Sequence, residues 1–317
     1  MYGTLVVLAV LGLFVYNKFV KPRYGRRLDV KQLGEWAVVT GATDGIGKAF
    51  AKELASKGLN LLLISRNMEK LEATCREINE SYQVITKGVQ AEFTLLDAKM
   101  YAYIKSEIEK LDVGVLVNNV GMAYVHPEYL HELDAHQDHI PEAILNCNAM
   151  SAVKMCQYTL PGMVKRGRGL IINISSGFSI IPSPFISLYG GTKAFLSKFS
   201  RSLDLEYRKS GVKVHTLNTG MVATKLLRTR QTSWMLPSPD TYAKSAIDDA
   251  LNLEVSESTG YIAHTFLQCI VSIMCWLFPD YTHRKLVSVG IDKKDLLKQR
   301  CPYCSGSKNR QNVTVIE

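Results

Sequence analysis

A glycine-rich turn between an apolar strand and a helix constrains the fold of this 317-residue chain more than any other feature. The segment Thr40-Gly-Ala-Thr-Asp-Gly-Ile-Gly47 follows the apolar run Trp36–Thr40 and opens Ile46–Lys57, which has helical periodicity. Its three glycines let the backbone turn tightly and approach a pyrophosphate, and a helix N-terminus offers unpaired N–H groups there. Strand, loop and helix in this order predict a nucleotide-binding half, whereas a glycine turn alone would only be structural.

The rest of the chain alternates apolar, strand-like runs with helical stretches as far as residue 220. This alternation predicts an α/β fold: a Rossmann-type, doubly wound parallel sheet of about seven strands with helices on both faces. Strands are predicted at 36–40, 59–65, within 84–93, and at 113–118, 170–175 and 212–218; helices at 46–57, 68–80, 99–110, 141–166, 189–210 and about 240–252.

Composition narrows the class of protein. Hydrophobic residues make up 47% and charged residues 21% of the chain, which is typical of a globular domain with a full core. The net charge of +9 indicates a solvated basic surface, an anionic ligand or an anionic membrane face. No basic run is interleaved with aromatic residues, so nucleic acid is not expected as a partner, and no metal site is predicted.

The N-terminus is apolar and uncharged from Tyr2 to Tyr16, and five Lys and Arg residues follow between positions 18 and 27. By the positive-inside rule this basic flank stays in the cytosol. We predict an uncleaved membrane anchor over residues 1–20 and a basic linker over 21–34, with the rest of the chain facing the cytosol. The alternative is an amphipathic or buried N-terminal helix.

One Rossmann domain is predicted over residues 35–290, with a substrate-loop region at 221–285 and a polar tail at 291–317. The apolar run Tyr261–Pro279 lies in this region and carries no formal charge. Three interpretations stay open for it: it dips into a membrane, it walls an apolar substrate channel, or it is an ordinary helix of a globular fold.

Ser176, Tyr189 and Lys193 form a spacing suited to proton transfer. Two other Tyr-x-x-x-Lys sequences occur in the chain, but neither has a serine thirteen residues before its tyrosine. The pair at i and i+4 shares one helix face. A free tyrosine has a pKa of about 10, and a neighbouring lysine ammonium favours the phenolate and lowers that value. The spacing therefore predicts a tyrosine that exchanges a proton with a substrate.

The glycine spacing, together with this triple, resembles the short-chain dehydrogenase/reductase family. The segments 36–47, 63–67, 114–122 and 236–246 resemble one branch, the microsomal very-long-chain 3-oxoacyl-CoA reductases, also called 17β-hydroxysteroid dehydrogenase type 12, with type 3 as its sister. The resemblance spans about residues 20 to 285.

The resemblance implies a role for each catalytic residue. Tyr189 gives its proton to the substrate oxygen, Ser176 orients the carbonyl, and Lys193 lowers the pKa of the tyrosine and holds the nicotinamide ribose. Of the two asparagines in Leu145-Asn-Cys-Asn148, the family pattern selects Asn148, which links a water chain to Lys193.

The resemblance also implies the cofactor contacts. Arg66 follows the second strand, where an acid selects NAD, and it can pair with a 2′-phosphate, so NADP(H) is expected. The implied cofactor-binding residues are Gly41, Thr43, Asp44, Gly45, Ile46, Gly47, Arg66, Asn119, Gly121, Tyr189, Lys193 and Thr224. Asp44 stands where many NADP-preferring relatives have a basic residue, and the Asn119–Gly121 turn serves either structure or ligand.

Two departures from the family pattern stand out. Gly190 and Gly191 lie inside the Tyr-x-x-x-Lys segment, and Thr219-Gly220 replaces a Pro-Gly pair. Each glycine inside a helix costs roughly 0.5–1 kcal/mol relative to alanine. The segment around Tyr189 is therefore either loosened or shaped for a close approach of the backbone.

The function implied is NADPH-dependent reduction of a 3-oxoacyl-CoA to the 3-hydroxyacyl-CoA in microsomal fatty-acid elongation, at the endoplasmic reticulum membrane. The first alternative is a 17β-type hydroxysteroid or ketosteroid oxidoreductase. The second is a cofactor-binding membrane scaffold with weak catalysis, against which the intact Ser176, Tyr189 and Lys193 argue. Pairing as a homodimer stays open.

Overall fold

The computed structural model of the chain describes residues 12–13, 16, 20, 27–135, 139–224, 231–252 and 255–300. Most of the predicted anchor at 1–20 lies outside the described residues, as do residues 21–26 of the predicted linker and the tail from residue 301. Among the described helices, none has both the length and the apolar composition that crossing a membrane requires.

The described residues form a seven-stranded sheet whose strands are all paired in parallel, in the order β3-β2-β1-β4-β5-β6-β7. The strands are β1 Trp36–Thr40, β2 Asn60–Ser65, β3 Thr86–Gln90, β4 Val113–Asn118, β5 Gly169–Ile174, β6 Val212–Leu217 and β7 Glu257–Ser258. The prediction of a Rossmann-type parallel sheet is confirmed. Its chain order reverses beside β1, where β1 pairs with both β2 and β4, and ligands of such sheets bind at this switch point.

Helices cover both faces of the sheet. They are α1 Gly45–Ser56, α2 Met68–Tyr82, α3 Ala98–Glu109, α4 Ile140–Leu145, α5 Ser151–Arg166, α6 Ser187–Tyr207, α7 Pro239–Leu251, α8 Ile262–Leu277 and α9 Pro279–Arg300. Alternate strand residues face opposite layers: Val39 packs in the core under Phe50 of α1, and Val38 in the core under Met155 of α5. Because both faces are covered, the central strands are buried throughout and read as continuous apolar runs.

Side-chain amides tie the central strands together near their carboxyl ends. Asn118 Nδ2 donates to Asn173 Oδ1 at 2.8 Å, and Asn173 Nδ2 donates to Ser200 Oγ at 2.7 Å. All three residues are buried, so these bonds fix β4, β5 and α6 relative to one another. The loops that follow β4 and β5 therefore start from a rigid base.

The helix predicted at 141–166 is interrupted. A π-helical segment, Asn146–Met150, separates α4 from α5. Such segments are rare, and they frequently mark functional sites.

The C-terminal helix differs from the polar tail predicted at 291–317, because α9 continues to Arg300. Lys294 Nζ lies 2.6 Å from the buried Glu128 carboxylate and 4.1 Å from the ring centroid of Tyr129. Burial raises the pKa of the Glu128 carboxyl. Hydrogen bonds, chiefly from Lys294 and also from the backbone N–H of Tyr129, outweigh burial and lower this pKa to about 2. This ion pair holds α9 against the segment that follows β4.

Candidate active site

The glycine loop after β1 is held from two sides. Asp44 caps α1, its carboxylate accepting a hydrogen bond from Gly45 N at 2.8 Å. Asn119 Nδ2 donates to the carbonyl oxygens of Thr40 and Gly41, each at 3.1 Å. The side chain of Asn119 thus supports the loop. This is the structural use expected for its turn, the other being contact with a ligand.

The loop leaves no space for side chains where its backbone passes close to its neighbours. A Cβ on Gly47 would overlap the carbonyl oxygen of Gly41, and Gly45 has a φ of +51°. A Cβ on Gly45 would lie 3.3 Å from Thr224 Cγ2, so the segment after β6 closes against this loop. A group that must approach the backbone of a helix N-terminus, as a pyrophosphate does, fits this cradle.

Arg66 follows β2 beside this loop and is half-buried. Its carbonyl oxygen accepts a hydrogen bond from Gln90 Nε2 at 2.8 Å, which fixes its backbone to β3. Thr43 Oγ1 and Ser65 Oγ lie 3.0 Å apart and join the glycine loop to the end of β2. The structure therefore places Arg66 and Thr43 on adjoining segments at one end of the predicted nucleotide site.

A cavity of about 490 Å³ opens at the carboxyl ends of the strands. Of the predicted site residues, Gly45, Ile46, Asn119, Gly121, Ser176, Tyr189, Lys193 and Thr224 line it. Gly41, Thr43, Asp44, Gly47, Arg66 and Asn148 are not among the lining residues. The cavity thus brings the proton-transfer triple and the helix end of the glycine loop together.

Ser176 and Tyr189 meet at the wall of this cavity. The hydroxyl of Ser176 follows β5 and accepts a hydrogen bond from Phe178 N at 3.3 Å. The phenol of Tyr189 stands in the first turn of α6, close enough to Ser176 for that hydroxyl to lower the pKa of the tyrosine. The Phe178 ring meets the Tyr189 ring edge to face, with centroids 6.4 Å apart. Two hydroxyls are therefore positioned to contact one oxygen atom of a ligand.

Lys193 lies one helical turn after Tyr189 and is buried. Its ammonium donates to the carbonyl oxygen of Ile174 at 2.9 Å and lies 5.7 Å from the Tyr189 ring centroid. The lysine is thus held beside the tyrosine by the end of β5.

The pKa values in this cluster are set mainly by burial. Burial raises the pKa of Tyr189, and the neighbouring Ser176 hydroxyl opposes part of that shift. Burial lowers the pKa of Lys193 to about 8. The direction for Tyr189 is opposite to the lowering expected from a neighbouring lysine, because desolvation disfavours the phenolate. Tyr189 therefore carries its proton at neutral pH, as a proton donor must.

Asn148 lies in the π-helical segment behind Lys193. Its Nδ2 donates to Met122 O at 2.9 Å and to Thr192 Oγ1 at 3.1 Å, and its Oδ1 accepts from Met122 N at 2.7 Å. A Cβ added to Gly121 would lie 3.3 Å from both Asn148 Oδ1 and Lys193 Nζ. Gly121 is thus the spacer that lets the amide and the ammonium approach each other.

Helix α8 supplies cavity residues that the sequence did not single out. His264, Leu267, Gln268 and Val271 line the cavity from one face of this helix. The sequence signal that could have indicated them is the pair His264 and Gln268, two polar residues four positions apart within an apolar run. Lining the cavity agrees with the channel-wall interpretation of Tyr261–Pro279, one of the three left open.

The two departures from the family pattern have structural reasons. A Cβ on Gly190 would overlap Ser183 Oγ and lie 3.1 Å from Ser183 Cβ, whereas a Cβ on Gly191 would meet no atom within 4 Å. Gly190 permits a close approach, and Gly191 does not need to be glycine. Thr219 Oγ1 lies 2.7 Å from the hydroxyl of the buried Tyr242, so the threonine anchors the loop after β6 to α7.

Comparisons with known proteins agree with this architecture. A protein-family model described as short chain dehydrogenase matches residues 35–234. The chain is 43% identical over 247 residues to a very-long-chain 3-oxoacyl-CoA reductase of Macaca fascicularis, covering 78% of each chain. It is 43% identical over 250 residues to inactive hydroxysteroid dehydrogenase-like protein 1 of Homo sapiens, covering 77% of this chain and 74% of that protein.

Two solved structures have the same fold. One, from a study of 7beta-hydroxysteroid dehydrogenase stereoselectivity, is 25% identical with a TM-score of 0.69, covering 83% of this chain and 100% of its own. The other, a metagenomic short-chain oxidoreductase in complex with NADP, is 26% identical with a TM-score of 0.58, covering 71% and 95%. With the parallel sheet, the glycine loop and the family match over the strands that carry the cavity, the chain belongs to the short-chain dehydrogenase family.

Proposed function

We propose that the protein reduces the 3-oxo group of a long-chain acyl-CoA to a 3-hydroxyl group, with NADPH as the reductant. The observation that carries this proposal is the cavity of about 490 Å³, whose wall includes the Ser176 and Tyr189 side chains together with Gly45 of the glycine loop. The choice of substrate is supported by the name of the Macaca fascicularis relative, which shares 43% of aligned residues with this chain.

NADP(H) fits the residues around the glycine loop. The close packing at Gly47 and the N-terminus of α1 suit a pyrophosphate, and the positive charge of Arg66 suits a 2′-phosphate. Asn119 and Thr224 line the same cavity as Gly45, and both would contact the bound cofactor. When bound, NADPH supplies the hydride that reduces the substrate carbonyl carbon.

The side chains of this chain manage the proton and the developing negative charge. Ser176 donates a hydrogen bond to the substrate oxygen, and Tyr189 gives that oxygen its proton. The resulting phenolate is stabilised by the Lys193 ammonium, whose distance of 5.7 Å to the ring centroid keeps it close. Asn148, whose Oδ1 lies near Lys193 Nζ beside Gly121, would link this lysine to water.

A membrane location is part of the same proposal, because the substrate carries a long apolar chain and the N-terminus is an apolar run with a basic flank. Residues 1–20 would anchor the protein in the endoplasmic reticulum membrane, and the basic linker at 21–34 would hold a single domain, 35–290, in the cytosol. The exposed Phe195 and Leu205 on α6 would contribute to a homodimer face.

A hydroxysteroid or ketosteroid activity is the second candidate. It is favoured by the structural likeness to the 7beta-hydroxysteroid dehydrogenase at a TM-score of 0.69. The name of the inactive human relative makes a non-catalytic scaffold the third outcome to be tested.

The full-length chain in detergent separates these candidates. We expect NADPH oxidation with a long-chain 3-oxoacyl-CoA, with kcat/KM at least tenfold above that for a 17-ketosteroid. A higher value for the steroid would replace the proposal by the second candidate. Tight NADPH binding without turnover of either substrate would favour the scaffold.

A further inference from the structure

The imidazole of His264 is a buried polar group of the cavity wall that the roles above leave unused. Its side chain is 3% exposed, and neither ring nitrogen completes a hydrogen bond within the part of the chain that the structure describes. Burial lowers the pKa of His264, and the backbone carbonyls of Met221 and Met235 oppose part of that shift without reaching hydrogen-bond geometry. Buried polar groups are normally paired, so an unpaired imidazole on a cavity wall indicates a group on the ligand.

Neighbouring rings and a glycine hold this imidazole in place. The rings of Tyr261 and Tyr242 lie 5.2 and 5.9 Å from it, measured between centroids. A Cβ on Gly220 would lie only 2.7 Å from the imidazole Cγ, so the absence of a side chain at position 220 makes room for the ring. The replacement of the family's Pro-Gly by Thr219-Gly220 keeps the glycine that this contact needs.

His264 is connected to the reacting end of the cavity through short segments. Gly220 follows Thr219, whose carbonyl oxygen accepts a hydrogen bond from Gly177 N at 3.0 Å, and Gly177 follows Ser176. Ser176, Gly177, Thr219, Gly220 and His264 all line the same cavity. His264 therefore borders the same cavity as Ser176, with the loop after β6 between them.

The proposed substrate carries two carbonyl groups, which match two polar groups on the cavity wall: the hydroxyls at Ser176 and Tyr189, and the imidazole of His264. A 3-oxoacyl thioester carries a second carbonyl, separated from the reacting ketone by one methylene group, whereas a 17-ketosteroid has no second oxygen near its ketone. A neutral imidazole has one N–H that can donate to such an oxygen. Building on the proposed function, we propose that His264 donates a hydrogen bond to the thioester carbonyl of the substrate and so selects 3-oxoacyl thioesters over isolated ketones.

A matched pair of ligands tests this role. The first is a long-chain 3-oxoacyl-CoA, and the second is its thioether analogue, in which a methylene replaces the thioester carbonyl and the rest of the molecule is unchanged. Because the two ketones differ in intrinsic reactivity, the informative quantity is the ratio of their kcat/KM values compared between wild type and variant. Equilibrium binding of both ligands in the presence of NADP⁺ gives the corresponding ratio of dissociation constants without turnover.

We expect His264→Phe to lower kcat/KM for the thioester about three- to tenfold, the effect of one neutral hydrogen bond, and to leave the thioether nearly unchanged. His264→Asn, which keeps a donor, should retain part of the preference. Ile270→Ala is the matched control, because Ile270 lies on the same helix, is 44% exposed and is not among the cavity-lining residues, so the preference should stay at the wild-type value.

Equal losses on both ligands, or an unchanged ratio in His264→Phe, would overturn the role of His264 while leaving the proposed function standing. A loss of NADPH affinity in His264→Phe would also overturn it, because the imidazole would then serve the cofactor. If the wild-type protein neither binds nor reduces either CoA ligand, the proposed function itself fails, and this inference fails with it.

Discussion

Arg66 is the single side chain that we propose selects the cofactor. It is half-buried, and its backbone is fixed to β3 by the hydrogen bond from Gln90 to its carbonyl oxygen. A guanidinium at this place can bind the 2′-phosphate of NADPH with two parallel hydrogen bonds. The 2′-hydroxyl of NADH cannot accept such a pair. The preference for NADPH over NADH is therefore expected to reside largely in this residue.

Replacing Arg66 with Asp tests this expectation. Charge-assisted hydrogen bonds contribute about 1.5–3 kcal/mol, so the ratio of kcat/KM for NADPH to that for NADH should fall roughly 10- to 100-fold. Arg76→Asp, on the exposed side of α2, is the control and should leave the ratio unchanged. An unchanged ratio in Arg66→Asp would refute the role given to Arg66.

Individual residues also show where inference from the sequence reached its limit. Ser176, Tyr189 and Lys193 were identified because their spacing is local, and the glycines of the loop because their order with strand and helix is local as well. His264 and Gly220 come together only when α8 folds over the loop after β6, and no spacing in the sequence encodes that contact. The lowered pKa expected for Tyr189 from its neighbouring lysine differs from the raised pKa that burial causes, and burial depends on the complete cavity.

At the scale of elements, α6 carries the proposed proton-transfer pair, Tyr189 and Lys193, with two glycines between its members. Only one of them is required by packing. Gly190 faces Ser183 so closely that a Cβ there would lie 3.1 Å from Ser183 Cβ, whereas Gly191 faces open space. The two neighbouring positions are therefore expected to respond in opposite ways to the same substitution.

Gly191→Ala should increase the free energy of unfolding by about 0.5–1 kcal/mol, because alanine loses less backbone entropy in a helix. Gly190→Ala should lower it, since the new methyl group displaces Ser183, and Ser183→Gly in the same chain should restore part of the loss. Urea unfolding of the three variants measures these differences. Equal effects of the two alanines would show that the Ser183 contact does not restrain α6.

Elements whose own sequence carries the full hydrophobic pattern were predicted to within a residue or two. Strand β2 was expected at 59–65 and runs from Asn60 to Ser65, because a strand buried on both faces is apolar throughout. The π-helical segment at Asn146–Met150 was not predicted, since it is accompanied by hydrogen bonds from Asn148 to Met122, a residue in another loop. The last turns of α9 escaped prediction for the same reason, because Lys294 pairs with the distant Glu128.

For the molecule as a whole, buried lysines make stability depend on pH. Lys213 on β6 donates to the carbonyl oxygens of Ala250 and Asn252, and burial lowers its pKa to about 7 from an ordinary value of 10.5. Between these two values the unfolded chain binds more protons than the folded protein does. The free energy of unfolding therefore rises with pH across this window, by roughly 1.4 kcal/mol per pH unit for one such group.

Lys213→Met should remove this contribution. We expect the slope of the unfolding free energy against pH, measured between about pH 7.5 and 9.5, to fall by roughly 1.4 kcal/mol per pH unit relative to wild type. Lys209→Met, which changes an exposed lysine nearby, should keep the wild-type slope. If Lys213→Met has the wild-type slope too, Lys213 is not the group that couples folding to protons.

The account as a whole depends on Tyr189 as the proton donor for a 3-oxoacyl-CoA. The measurement that tests it most directly compares NADPH oxidation by wild type, Tyr189→Phe and Tyr101→Phe with that substrate. Tyr101 is the matched control, because it begins another Tyr-x-x-x-Lys sequence but its hydroxyl is buried in the core without a partner among the described residues. We expect Tyr189→Phe to retain NADPH binding and to lose at least about 100-fold in kcat, with Tyr101→Phe close to wild type. A Tyr189→Phe protein that oxidises NADPH as fast as wild type would contradict the account.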